Sequence, residues 1–168
     1  MATVRTPPVT VRVATPADLA DVVALRLALL REYRDNIIYG RLRSDARERA
    51  ERLFAKQLAS PNEVMFLANR DGETVGILRC VHSTASPLLY PAEYGYISSV
   101  YVVPALRGVG VLRLLFDEAV RWCSARGITE LRLHNAANNP AANAAWEALG
   151  FEVVEVLRMK QLGRDTTA

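Results

Sequence analysis

The residues of this 168-residue chain with the clearest chemical promise are Arg107, Gly108 and Gly110. They stand between an apolar run, residues 97–103, closed by Pro104, and a stretch in which Val111, Leu114, Leu115, Ala119 and Trp122 recur at helical spacing. A strand that passes through a glycine loop into a helix start can bind an anion. The first-turn amides have no acceptor inside the helix, and the helix dipole adds partial positive charge there. Glycine keeps side chains out of the approach, and Arg107 adds a cation. Arg107 and the amides of Gly108, Val109, Gly110, Val111 and Leu112 are therefore candidates for holding a diphosphate. The plainer reading is a surface turn beside a solvated arginine.

Two nucleotide readings can be tested at once. A Rossmann site needs a third glycine and an acidic end to the next strand, but Arg113 occupies the glycine position and the strand at 128–133 runs into His134. A Walker loop needs Gly-Lys-Ser/Thr, which the chain lacks. Both readings fail.

The run Val102-Val103-Pro104-Ala105-Leu106-Arg107-Gly108-Val109-Gly110-Val111-Leu112 resembles the central motif of the GNAT superfamily of N-acetyltransferases, Val-x-Pro-x-x-Arg/Gln-x-x-Gly-x-Gly/Ala. Leu112 departs from it by replacing a small residue. A second motif of that family has an Asn, an aromatic residue seven positions on and a closing Gly-Phe pair. It is matched by Asn139, Trp146 and Gly150-Phe151. The resemblance spans residues 9–162. It implies an α/β (α+β) fold with a mixed, mostly antiparallel sheet of six to seven strands, splayed at its middle and flanked by about four helices. It also implies acetyl-CoA as co-substrate. The pantetheine arm would lie in the splay and pair with the backbone of Val100, Tyr101 and Val102, and Asn139 would contact the arm. Trp146 stands where many members carry a tyrosine that protonates the leaving thiolate. An indole N–H cannot give up its proton at useful pH, so Trp146 reads as a packing residue lining the channel.

Acyl transfer to an amine needs a base for the amine, a donor for the thioester oxygen and attack geometry. His134, at the end of the strand before the second motif, is one candidate base, since imidazoles titrate near neutrality. Its alternative is a strand-end histidine bonded to loop backbone. Glu93, just ahead of the central strand, is the competing base, with a solvated carboxylate as its alternative. Strand alternation puts Tyr96, Ser98 and Val100 on one face and Ser99 and Tyr101 on the other. Asn139-Pro140 also suits a helix start. The acceptor pocket is expected around Tyr33, Tyr39, Arg41 and the loop 83–94.

Elements to position these groups follow from the chain. A strand is expected at 9–14, a helix starting at Thr15-Pro16 and reaching about 34, and a helix at 44–58 with Ala46, Ala50, Leu53, Phe54 and Leu58 buried. Strands at 63–69 and 74–82 are joined by Asp71-Gly72. A short helix at 140–149 and a last strand at 152–159 close a single domain, 1–168, with flexible ends at 1–8 and 163–168. A hydrophobic fraction of 51% is enough for a core. The net charge of +3, with basic and acidic residues interspersed, argues against nucleic acid. No apolar run suggests a signal peptide or membrane span. Cys80 and Cys123 read as buried thiols rather than a disulfide or metal pair, which suits a reducing cytoplasm, and no metal site is expected.

The leading expectation is an N-acyltransferase moving an acetyl group from acetyl-CoA to a primary amine of an unidentified acceptor. A non-catalytic acyl-CoA-binding or regulatory module, and a fold kept only for assembly, are the alternatives. A homodimer is left open.

Overall fold

The sheet grows from one tight turn. Asp71 and Gly72 both have positive φ, 55° and 82°, as a two-residue hairpin loop requires. The turn joins strand β2, Glu63–Arg70, to β3, Glu73–Thr84. β1, Thr10–Val13, pairs antiparallel with β2, and β4, Glu93–Val102, antiparallel with β3. β5, Leu131–Leu133, lies parallel to β4, so the order is β1-β2-β3-β4-β5. This computed structural model describes residues 8–162. Among them the mostly antiparallel sheet has five strands rather than six to seven. The expected strand at 152–159 is not formed: residues 151–162 carry no regular secondary structure. Val153, Val154, Val156 and Leu157 have strand-forming side chains but remain 71–84% exposed. Strand propensity is realised only against a paired neighbour.

Helices α1, Leu19–Glu32, and α2, Ala46–Leu58, cover one face of the sheet. Val22, Val23, Leu27 and Phe54 pack there with Met65, Leu67, Ile77 and Tyr101. Leu53, expected in this stripe, is instead 50% exposed. Ahead of α1, Asp18 closes a reciprocal cap by accepting from the Thr15 amide at 2.7 Å, and it takes a two-pronged contact from Arg12 at 2.7 and 2.8 Å. The Arg12 guanidinium holds the Asp18 carboxyl well below the usual carboxylate range.

Helix α3, Val111–Ser124, covers the opposite face with Val111, Leu115, Phe116, Ala119 and Cys123 buried. The expected stripe differs at two positions. Leu114 is 43% exposed, and the half-buried Trp122 carries Arg126 stacked 3.8 Å over its ring. Cys80 and Cys123 are free and buried, yet their sulfurs lie 3.5 Å apart. Contact with Cys123 and then burial push the Cys80 thiol up. Gly95 makes room for the pair, since a Cβ there would sit 2.7 Å from the Cys123 sulfur and 2.6 Å from Leu131.

The chain forms two compact units, Met1–His134 and Asn135–Ala168. In the second, α4 spans Pro140–Ala148, and the Asn139 side chain accepts from the Ala142 amide at 3.0 Å. Gly150 ends the helix at φ 89°. Trp146 is buried edge-on against Phe151, 5.5 Å between ring centres. The expected flexible ends lie, apart from Pro8, outside the described residues.

Candidate functional site: an open strand edge beside a glycine loop

β4 and β5 pair only at Gly95–Leu131, Tyr96–Arg132 and Ile97–Leu133. β4 then continues from Ser98 to Val102 without a β5 partner, which is the expected splay. That open edge carries the backbone of Val100, Tyr101 and Val102. On the β3 side, Ile77 pairs with Tyr101 and Arg79 with Ser98, so Leu78 alone faces both Ser99 and Val100. This bulge holds Ser99 at φ 53°, an uncommon conformation for a residue with a side chain. It also overturns the expected alternation. Tyr101 shares the α1–α2 face with Ser98, because the extra residue flips the parity of everything after it.

Past Val102 the chain takes a 3-10 turn, Pro104–Leu106, and then reaches Gly108 at φ 73° and Gly110 at φ 93°. A Cβ at either glycine would meet nothing, so the left-handed backbone and not crowding calls for glycine. Gly110 caps α3, and its carbonyl accepts from Leu114 at 3.1 Å. The first-turn amides ahead of Leu114 are the ones an α-helix cannot satisfy internally. Val111 is buried and Leu112 half-buried. Arg107 is less free than the sequence suggests. Its Nε donates to the Val102 carbonyl at 2.8 Å, its Nη2 reaches Glu32 at 2.7 Å, and its guanidinium carbon lies 5.3 Å from the centre of the Tyr101 ring. The cation ties the loop to β4 and α1.

His134 follows directly on β5, one residue past the last β4–β5 pair and level with Ser98. Its Nδ1 lies 2.9 Å from the Tyr96 hydroxyl. Burial, then Tyr39 and Tyr94, push the Tyr96 phenol up, so it stays neutral. Glu93 is elsewhere. It begins β4, about 20 Å along the strand from Ser99 at ~3.3 Å per residue, with its carboxylate 3.1 Å from His82 Nε2. His82 pairs with Gly95, which puts this couple on the α3 face, opposite Tyr96. His134 and Tyr96 thus meet beside the bulge, and Glu93 does not join them.

Sequence reasoning missed a polar cluster on the α1–α2 face. Arg79 donates to Glu63 through Nε and to the Ser98 hydroxyl through Nη1 at 3.1 Å. The available signal was an arginine and a glutamate on facing strands otherwise rich in apolar residues. Asn139 and Trp146 lie in the second unit, the first capping α4 and the second packed on Phe151. Among the described residues no group of three or more His, Cys, Asp or Glu could hold a metal, and no helix is long and apolar enough to cross a membrane.

The open edge of β4, the bulge at Ser99 and the left-handed glycine cap on α3 follow one another along the chain. Comparison with known proteins shows the family. Residues 26–151 match the model of the acetyltransferase (GNAT) family. The chain is 34% identical over 153 residues to aminoglycoside N(6')-acetyltransferase type 1 of Stenotrophomonas maltophilia, covering 87% of this chain and 88% of that protein. A predicted acetyltransferase from Clostridium acetobutylicum, solved with acetyl-CoA, superposes with a TM-score of 0.74 at 21% identity, over 91% of this chain and 96% of its own. The apo aminoglycoside 6'-N-acetyltransferase of Acinetobacter haemolyticus gives 0.73 at 23% identity, over 93% and 99%. The chain belongs to the acetyltransferase (GNAT) family, and by class it is an acetyl-CoA-dependent N-acetyltransferase.

Proposed function

We propose that the chain acetylates a primary amine, with acetyl-CoA laid along the open edge of β4, its diphosphate on the amides of Gly108 to Leu112 and its thioester at the Ser99 bulge. One observation carries this reading: the edge of β4 left unpaired after Ile97 leads directly into a helix start capped by left-handed glycines. Backbone along that edge can pair with an amide-bearing arm, and the helix start suits the anion at the arm's end. Arg107, fastened to Glu32 and Val102, holds the loop in place and adds positive charge beside it.

In the reaction the amine nitrogen attacks the thioester carbonyl, the amide bond forms, and coenzyme A leaves as the thiolate. His134 is the base that takes the proton lost by the amine. For Nε2 to accept it, Nδ1 must carry hydrogen and donate to the Tyr96 hydroxyl oxygen, so Tyr96 sets the tautomer and ring orientation. Tryptophan at position 146 offers no acid, and the thiolate departs without one.

Two further assignments accompany this reading. The reduced, touching thiols of Cys80 and Cys123 suit a reducing cytoplasm. A homodimer would cover the exposed apolar run at 153–157, and sedimentation would show it.

The test is calorimetric titration of acetyl-CoA followed by a thiol-release assay over a panel of amines. Binding with amine-dependent thiol release is expected. Binding without release from any amine would leave a coenzyme-binding module, and no binding would overturn the assignment of the β4 edge.

A further inference from the structure

Acyl transfer builds negative charge on the thioester oxygen, and a donor aimed at that atom lowers the barrier. The α1–α2 face beside the bulge carries a hydroxyl suited to the task. Ser98, the residue before the bulge, accepts from Arg79 Nη1 at 3.1 Å. The same guanidinium donates through Nε to Glu63, and the two side chains of that ion pair are only 17% and 11% exposed. Strand register brings the three together. Arg79 pairs with Ser98 on β4, while Glu63 on β2 stands opposite Val81, diagonal to Arg79 on the same face. One arginine thus spans a carboxylate and a hydroxyl across three strands. The Ser98 oxygen has a cation as its donor, and among the described residues no group accepts the hydroxyl hydrogen. A hydroxyl that accepts from a guanidinium is polarised and becomes a stronger donor in turn. On the other side of β4, His134 stands level with Ser98 and meets Tyr96. Arg79, Ser98 and His134 therefore follow one another in a row across β3, β4 and the end of β5, with the bulge beside them.

We propose that Ser98 is a catalytic residue whose hydroxyl donates to the thioester oxygen, and that Arg79, braced by Glu63, is the positioning residue that aims it. This rests on the transferase reading above, which lays the thioester at the bulge. As the amine nitrogen attacks, the carbonyl electron pair moves onto oxygen, and Ser98 donates a hydrogen bond to it while keeping its proton. The C–O double bond then re-forms, the C–S bond breaks, and its electron pair leaves on the coenzyme sulfur. The proton lost by the amine goes to His134 Nε2. Ser98 serves the electrophile and His134 the nucleophile. The hydroxyl is oriented by Arg79 before substrate arrives, so nothing has to reorganise as charge develops. A side-chain donor, unlike a backbone amide, can be removed by substitution.

The experiment uses the full chain, steady-state thiol release from acetyl-CoA over the amine panel, and calorimetry of acetyl-CoA. Ser98→Ala should lower kcat by about a hundredfold, the size of a lost oxyanion donor. The factor should be the same for every amine, because the donor acts on the thioester. Acceptor KM and acetyl-CoA affinity should be little moved, and the neutral limb of the pH profile, owed to His134, should stay in place. Arg79→Lys keeps a cation opposite Glu63 but lacks the fork that reaches both partners. It should cost less than Ser98→Ala, and the double variant should be no slower than Ser98→Ala alone, since Arg79 acts through the hydroxyl. If Ser98→Ala does not fold, Ser98→Cys, close in size and a weak donor, carries the same expectation. A kcat near the wild-type value overturns the proposal. So does a loss that varies from amine to amine through acceptor KM, which marks an acceptor contact, or one that comes with lost acetyl-CoA binding, which marks a structural role. Additive losses in the double variant overturn the part given to Arg79. If acetyl-CoA binds but no amine is turned over, its hydrolysis by water decides: wild type should exceed Ser98→Ala, and equal rates reject the donor. Failure of the transferase reading is recognised separately, by the absence of acetyl-CoA binding to the wild-type protein.

Discussion

His134 and Glu93 illustrate how two residues with equal chemical credentials are separated by their places on the sheet. His134 lies beside the bulge with its Nδ1 held by Tyr96, whereas Glu93 faces His82 at the far end of β4. His134→Gln should therefore lower kcat/KM by about a hundredfold, the usual size of a lost general base, with acetyl-CoA affinity retained. Tyr96→Phe should cost less, about tenfold, because it loosens the imidazole without removing it. Glu93→Gln should stay within about threefold of wild type. Steady-state kinetics on the three variants test the assignment, and collapse of Glu93→Gln with an active His134→Gln would transfer the base to the α3 face. Leu112, the departure from the family motif, is a half-buried side chain at the second position of α3.

At the scale of elements, two helix starts carry separate predictions. Gly110 occupies φ 93° in open space, so Gly110→Val is penalised by backbone conformation and not by collision. The strained variant would shift the cap and the first-turn amides with it. We expect acetyl-CoA binding to weaken by about 1–3 kcal/mol, read by calorimetry, with a smaller loss for Gly110→Asn because asparagine tolerates that region. The start of α1 is held by Asp18, which is bound by Arg12 and by the Thr15 amide. Its folded pKa is depressed, so its contribution is present above the unfolded carboxylate value near 4 and is lost as pH falls towards the folded value. Asp18→Asn should lower unfolding free energy by about 1–2 kcal/mol at pH 7, and the gap to wild type should begin to narrow only below about pH 4 and close as pH falls to the folded value. Denaturant titrations at pH 7 and at a series of values below pH 4 measure both.

For the whole molecule, stability is concentrated in the first unit. Leu67, Leu78 and Ile97 are essentially inaccessible on strands paired on both sides, while residues 152–162 have no paired strand. Hydrogen exchange should be slowest at those three amides and fast throughout 152–162. Saturating acetyl-CoA should add protection at residues 100–102 and 108–112. A protected 152–162 segment that becomes fast on dilution would show that a second copy supplies its missing neighbour.

The elements that frame the candidate coenzyme site were legible in the chain because their requirements are local. A strand ending at Pro104, glycines at left-handed positions and an amphipathic start to α3 are all properties of consecutive residues, and so are the Asp71-Gly72 turn and the Asn139 cap. The motifs around them were enough to indicate the family. What only the tertiary structure decided depends on residues distant in sequence. A one-residue bulge is invisible to alternation, yet it places Tyr101 on the face of Ser98. The places of His134 and Glu93 on the sheet needed the strand registers, and the engagement of Arg107 needed Glu32 on α1. Pairing partners likewise decided the fate of 152–159: a β-branched run is a strand only when another strand meets it, and strand partners are chosen by the fold, not by the segment.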